Sequence, residues 1–195
     1  MSGITHRKPN GLQDPEPRHS RRRFAGALGA LLAAPALVLS RHAPAGNSPS
    51  RTLRFDHTHT GEKLTVTYTA GERYLPSALL AIDRFLRDFR TGDVHPIDPQ
   101  LLDQLHMLAA VTATPAPFEV ISGYRSPATN SSLRAHGRGV AAHSLHLDGR
   151  AIDIRLPDVA LADLHEAAVS LRAGGVGFYP GSNFVHIDTG RVRRW

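Results

Sequence analysis

Cysteine is absent from the 195 residues. That excludes a disulfide framework, a thiolate metal site, a cysteine nucleophile and a lipoprotein anchor, so any metal must be held by histidine and carboxylate. A long apolar run is missing too: the longest, Ala25–Leu39, spans about 15 residues, short of the roughly 20 that cross a bilayer. Internal repeats are lacking, as is low complexity beyond the N-terminal stretch. An excess of basic charge is also missing from most of the chain, although the formal net charge is +6 and the pI near 10.4. Residues 1–45 hold a net +5 and the remaining 150 a net of only +1. The basicity is therefore local, which argues against a nucleic-acid partner.

What stands at the N-terminus is an address. Ser20-Arg21-Arg22-Arg23-Phe24 precedes the Ala/Leu-rich run, Arg41 follows it, and small residues come at Ala43-Pro44-Ala45. This is the order of a twin-arginine export signal, with cleavage expected after Ala45 and periplasmic delivery by the twin-arginine translocase. The competing readings are an uncleaved inner-membrane anchor and an accidental basic stretch. Residues 1–45 are thus read as the signal, 46–52 as a linker and 53–195 as one domain, long enough for its own core.

Within that domain, Leu53-x-Phe55 and Leu64-x-Val66-x-Tyr68 alternate around a His59–Glu62 turn and predict a hairpin. Apolar spacing predicts helices over Pro76–Arg90, from Asp98-Pro99 onward with Asp98 as N-cap, over Asn130–Ala135 and over Leu161–Leu171. Strands are expected at Phe118–Gly123, Ala151–Ile154, Val176–Tyr179 and Asn183–Asp188, with a flexible loop at Gly137-Arg138-Gly139. The mixed order predicts an α+β fold with a central antiparallel sheet and flanking helices.

Chemistry concentrates in Ser144-x-His146-x-x-Gly149-x-Ala151-x-Asp153 and in Phe184-Val185-His186-Ile187-Asp188. Side chains two apart on a strand share a face, which pairs Asp153 with the small Ala151 and His186 with Asp188. If the two strands are neighbours, His146, Asp153 and His186 converge. Two imidazoles and one carboxylate suit a catalytic zinc with an open fourth position, able to activate water and polarise a carbonyl. Any one of these histidines alone would be read as surface or packing; the combined spacing favours metal. His57, His59, His95, His106, His136 and His165 have no comparable context, and Trp195 is expected to pack against the domain.

These motifs resemble the zinc D-Ala-D-Ala peptidase group M15, and more closely its murein endopeptidase K-like branch. Thr58-His59-Thr60-Gly61-Glu62, His95-Pro96-Ile97-Asp98, Ser122-Gly123-Tyr124-Arg125-Ser126, Gly175-Val176-Gly177-x-Tyr179-Pro180 and Phe184-Val185-His186-Ile187-Asp188-Thr189-Gly190 carry the likeness across Leu53–Trp195. The resemblance implies a Hedgehog/D-Ala-D-Ala peptidase-like fold, His146, Asp153 and His186 as zinc ligands, and peptidoglycan cross-link peptide as substrate. It also places Arg125 near the substrate carbonyl. There a guanidinium would stabilise the oxyanion, or else pair with a carboxylate and brace its loop. Ser122, Tyr124 and Asn130 are candidates for substrate contacts or for supporting the site.

The chain departs from the group at Asn183, where many members carry an acidic general base; an amide cannot take a proton from water. Asp188 is the nearest substitute, with orientation of His186 as its other reading, and His143 and Asp148 are further candidates. The expectation is a periplasmic, monomeric zinc endopeptidase of peptidoglycan. Its rivals are a D,D- or L,D-carboxypeptidase and a weakly active, zinc-stabilised cell-wall binding protein.

Overall fold

A computed structural model describes residues 49–137 and 140–195. The expected export signal, residues 46–48 of the expected linker, and Arg138 and Gly139 of the expected loop lie outside the described residues. Seven strands form one sheet in the order β2-β1-β5-β6-β8-β7-β9. These are β1 (Thr52–His57), β2 (Lys63–Thr67), β5 (Phe118–Ser122), β6 (Ala151–Arg155), β7 (Gly175–Tyr179), β8 (Phe184–Asp188) and β9 (Arg193–Arg194). A separate small hairpin joins β3 (Thr69–Ala70) to β4 (Arg73–Tyr74).

The sheet is mixed, not wholly antiparallel as expected. The β1/β2 hairpin and the β5/β6, β6/β8 and β8/β7 pairs are antiparallel, but β1 pairs β5 in parallel and β7 pairs β9 in parallel. Between β1 and β5 run the β2–β4 segment and the helices α1 (Pro76–Phe85) and α2 (Pro99–Thr112). That is a crossover long enough to bring the chain back in the same direction. The two-residue β9 carries no strand pattern in its sequence. It docks on the open edge of β7, with the Phe178 amide donating to the Trp195 carbonyl at 2.9 Å.

Helix α1 ends five residues before the expected Arg90, and a carboxylate explains why. Asp88, 1% exposed, accepts the amides of Arg90 (2.9 Å) and Ser126 (2.8 Å), which folds the segment after Leu86 into a turn. Ser126 in turn caps α3 (Pro127–His136), accepting the Thr129 amide, so that helix starts earlier than its apolar pattern indicates. Asp98 caps α2 as expected, accepting from Gln100 at 3.0 Å.

The apolar side chains take one side of the sheet. Ile152 and Ile154 of β6 and Val185 and Ile187 of β8 are buried with Leu101, Leu105 and Leu108 of α2 and Leu164 of α4 (Leu161–Ser170). Each such side chain contributes about 1.5–3 kcal/mol on burial. Strand alternation then turns Ala151, Asp153, His186 and Asp188 to the opposite side. Cheap apolar burial on one face thus sets where the polar residues converge on the other.

A 3-10 turn at Leu145–Asp148 leads into β6 through Gly149, whose φ of +65° lies in the left-handed region. A Cβ there would stand 2.1 Å from the Pro96 carbonyl oxygen. Gly149→Ala is expected to cost at least about 2 kcal/mol from backbone strain and the clash together. Urea unfolding of the variant against the parent protein measures it.

Candidate active site

Asp153 on β6 and His186 on β8 are directly paired across the sheet, and the 3-10 turn brings His146 over them. His146 Nε2 lies 3.2 Å from Asp153 Oδ1 and 3.2 Å from His186 Nδ1, and His186 Nδ1 lies 2.9 Å from Asp153 Oδ1. The three predicted ligands are therefore brought together, with exposures of 1, 2 and 9%.

Their outer hydrogen bonds decide what this triangle is. His146 Nδ1–H donates to the Gly123 carbonyl at 2.7 Å, which leaves Nε2 with a bare lone pair in the neutral ring. His186 lies between two carboxylates; with Nε2–H donating to Asp188 Oδ2 at 3.1 Å, Nδ1 turns its lone pair toward the point shared with Asp153 Oδ1, 2.9 Å away. In that tautomer two nitrogen lone pairs and a carboxylate oxygen face one point. Ligands about 2.0–2.2 Å from a tetrahedral ion stand roughly 3.3–3.6 Å apart. The observed triangle is only slightly tighter, so the donor set fits a small divalent cation.

The electrostatics agree. Burial pushes the His146 imidazole below its ordinary value, only partly countered by Asp153, and keeps it neutral. Burial would raise Asp153, but His146, His186 and Arg125 outweigh it and hold the carboxyl well below the usual range. His186 is the exception. Burial disfavours its charged form, yet hydrogen bonds to Asp153 and Asp188 raise it, because a proton on Nδ1 occupies the place a cation would.

Asp188 is wholly buried, and both oxygens are in use. Oδ1 accepts the amides of Gly175 (3.1 Å) and Gly190 (2.8 Å) and Arg193 Nη1 (3.0 Å); Oδ2 accepts from His186 and from Arg193 Nη2 (2.6 Å). Burial would raise this carboxyl, but His186, Arg193 and the Gly190 amide hold it well below its ordinary range. This geometry fits the orienting role and not that of a general base. Arg193, which had no signal in the sequence, completes the anchor.

Arg125 donates to Asp153 Oδ2 through Nη2 and to Ser122 Oγ through Nε at 3.0 Å. The bracing role is thus present. Its Nη1 makes no hydrogen bond among the described residues, and Arg125 lines the cleft. Ser122 reaches Asp153 because β5 carries an irregularity between Val120 and Ser122, where the register shifts. Such a bulge re-aims a side chain beside a site, and sequence alternation alone would have sent Ser122 toward the core.

Two residues expected to contact substrate, Tyr124 and Asn130, do not line the cleft. Tyr124 is absent from the cleft lining and its ring stacks on His95 at 4.8 Å. Asn130, 4% exposed on α3, donates instead to the Ala141 carbonyl at 3.2 Å and holds the loop before His146. Behind the ligand loop, Thr189 donates to Asp98 (2.7 Å) and accepts from Arg150 Nε (3.0 Å), while the Asp98 amide donates to the Gly149 carbonyl. This network, also missed, ties the His146 loop to the end of β8.

The triangle forms the floor of a cleft of about 590 Å³ that crosses the strands. On the β1 side its wall includes His59 and Arg90; on the β7 side, Tyr179, Phe184 and Trp195. Trp195 packs on the His186 ring at 5.3 Å and donates through Nε1 to Tyr179 at 2.8 Å.

One buried carboxylate and two imidazoles at the base of an open cleft are the donor set of mononuclear metallopeptidases. The chain belongs to the M15 peptidase family described as peptidoglycan L,D-endopeptidase MepK, whose profile matches residues 45–195. The Peptidoglycan L,D-endopeptidase MepK of Escherichia coli (strain K12) is 42% identical over 176 residues, covering 90% of this chain and 97% of that protein. The Probable peptidoglycan L,D-endopeptidase MepK of Haemophilus influenzae is 43% identical over 146 residues, covering 74% and 78%. The crystal structure of the Serratia marcescens L-Ala D-Glu endopeptidase ChiX overlaps 39% of this chain and 62% of that one, at 23% identity and a TM-score of 0.32. That overlap is too slight to build on.

Asp188→Asn is expected to weaken metal binding about 10- to 100-fold, because the His186 tautomer loses its fixed partner. Competition titration with a chelating dye measures it; unchanged affinity with lost turnover would restore the base role.

Proposed function

We propose that this chain is a zinc-dependent peptidoglycan L,D-endopeptidase, exported by the twin-arginine pathway and acting in the periplasm as a single chain. The observation that carries the reading is the convergence of one donor atom each from His146, Asp153 and His186 at a single buried point. The nitrogen and oxygen donors, with no thiolate, suit zinc in a catalytic setting. Bound there, zinc would supply Lewis-acid activation of water and of the amide carbonyl. Peptidoglycan as substrate and the L,D bond type rest on the names of the related proteins. Export is supported by the residue order of the N-terminus. All the ligands come from one chain, which is why a monomer suffices.

This chain's own residues then divide the remaining work. Arg125 lines the cleft beside Asp153 and would hold the developing oxyanion, while its Nη2 keeps Asp153 in position and its Nε holds Ser122. Of the groups weighed for proton transfer, Asn183 cannot accept a proton, Asp188 is spent on five donors and Asp148 does not line the cleft. His143, on the loop before His146, does line it. We assign His143 the transfer of the proton from water to the leaving amine. The cleft lining extends from His59 and Arg90 on one side of the triangle to Tyr179 and Phe184 on the other, which suits cleavage within a peptide.

Digestion of purified cross-linked muropeptide dimers, read by mass, tests the reading. Conversion to monomers that stops on chelation and returns with zinc is expected. Release of a terminal residue would identify a carboxypeptidase, and no product at saturating zinc a binding protein. In the same assay His143→Gln is expected to lower kcat at least about 100-fold with zinc content unchanged; a full rate would remove His143 from the mechanism.

A further inference from the structure

The motif Thr58-His59-Thr60-Gly61-Glu62 and the turn after α1 meet at the β1 end of the cleft, and the mechanism above uses neither. Phe89 is the platform there. The His59 ring stacks on it at 4.2 Å and 10°, and the Arg90 guanidinium carbon lies 4.1 Å from its centroid. Both partners line the cleft that holds the metal triangle.

Their supports are rigid. His57, 2% exposed, accepts the His59 amide (3.2 Å) and the Thr60 amide (3.4 Å) through Nδ1, fixing the turn that presents His59. Burial pushes the His57 imidazole down to about 4, so it remains the neutral acceptor this turn needs. On the other strap, Asp88 accepts the amides of Arg90 and Ser126 and so fastens the Arg90 turn to the segment carrying Arg125.

The charge balance here is uneven. Arg125 is paired with Asp153 and Arg193 with Asp188. The Arg90 side chain has neither an ion pair nor a hydrogen bond among the described residues. It feels the charge of the nearby Asp88, opposed by that of Arg125, but the Asp88 oxygens are committed to the amides of Arg90 and Ser126 and do not take the guanidinium. A guanidinium held on an aromatic platform with its N–H groups unbonded among the described residues is arranged for a carboxylate, which it can take with two parallel hydrogen bonds. At the other end the wall is aromatic, with Tyr179 stacked on Phe184 at 4.6 Å. The cleft therefore has a cationic side and an aromatic side, with the metal triangle between them.

We propose that Arg90, seated on Phe89 beside His59, binds a free carboxylate of the peptide on the β1 side of the scissile amide and makes that carboxylate a condition of tight binding. This rests on the endopeptidase reading and names the chemistry its substrate must carry. The carboxylate is that of an uncleaved side chain or terminus of the stem peptide; no covalent step involves Arg90.

The test uses the zinc-loaded enzyme and a ligand without a cross-link, its integrity checked by mass after titration, so that binding is read independently of cross-link cleavage. A monomeric stem-tetrapeptide muropeptide and the same compound with its carboxyls amidated are titrated calorimetrically into the parent protein, Arg90→Gln and Arg90→Lys. The parent is expected to bind the free acid at least about tenfold tighter than the amide. Arg90→Gln should lose that preference while binding the amide as the parent does, and Arg90→Lys should keep part of it. Equal weakening of both ligands by Arg90→Gln, or an acid preference that survives it, overturns the proposal. Circular dichroism melts confirm that each variant folds. Cleavage of cross-linked dimers is followed in parallel: an acid preference that depends on Arg90 without cleavage leaves the subsite standing and removes the endopeptidase. Cleavage without that preference does the reverse.

Discussion

Three lone pairs meeting at one buried point constrain everything around them. His146 Nε2, Asp153 Oδ1 and His186 Nδ1 stand within 3.2 Å of one another, and none has a proton to offer in the neutral rings. Leaving acceptors face to face out of water is costly unless a cation joins them. The surrounding structure is organised to enforce that meeting. The Gly123 carbonyl and Asp188 fix the two tautomers, and the register of β6 on β8 sets Asp153 opposite His186. A slip of one residue would send both to the apolar side.

Charge is managed by pairing at each step outward. Asp153 and Asp188 are almost without exposure, and each meets an arginine, Arg125 and Arg193, as well as an imidazole. Removing either arginine would leave a buried carboxylate partly uncompensated, which is costlier than never having buried the pair. These pairs hold the triangle in place, while the Arg90 side chain on the cleft wall makes no ion pair among the described residues. The contrast separates the cations that build the site from the one proposed to meet a carboxylate.

Much of this was legible in the chain. The spacing from His146 to Asp153, with Gly149 and Ala151 between, specified a turn into a strand, and alternation put His186 and Asp188 on one face. What stayed hidden needed the third dimension. No pattern announces that β5 bulges after Val120 and so delivers Ser122 to Asp153, or that the two arginines of β9 form an edge strand. The stripe from Leu79 to Phe89 reads as one helix because the breaker is a tertiary contact, Asp88 taking the Ser126 amide 38 residues away. Tyr124 and Asn130 sit in or near informative motifs, yet one packs on His95 and the other holds a loop. Proximity in sequence to a functional residue says little about which way a side chain points.

A metal bound at the triangle through fixed donor atoms is decisively tested by a crystal structure of the zinc-loaded protein with anomalous data collected across the zinc edge. One strong peak per chain is expected, about 2.0–2.2 Å from His146 Nε2, His186 Nδ1 and Asp153, with His186 Nε2 still donating to Asp188. An empty triangle, or a peak bonded to His186 Nε2, would contradict it.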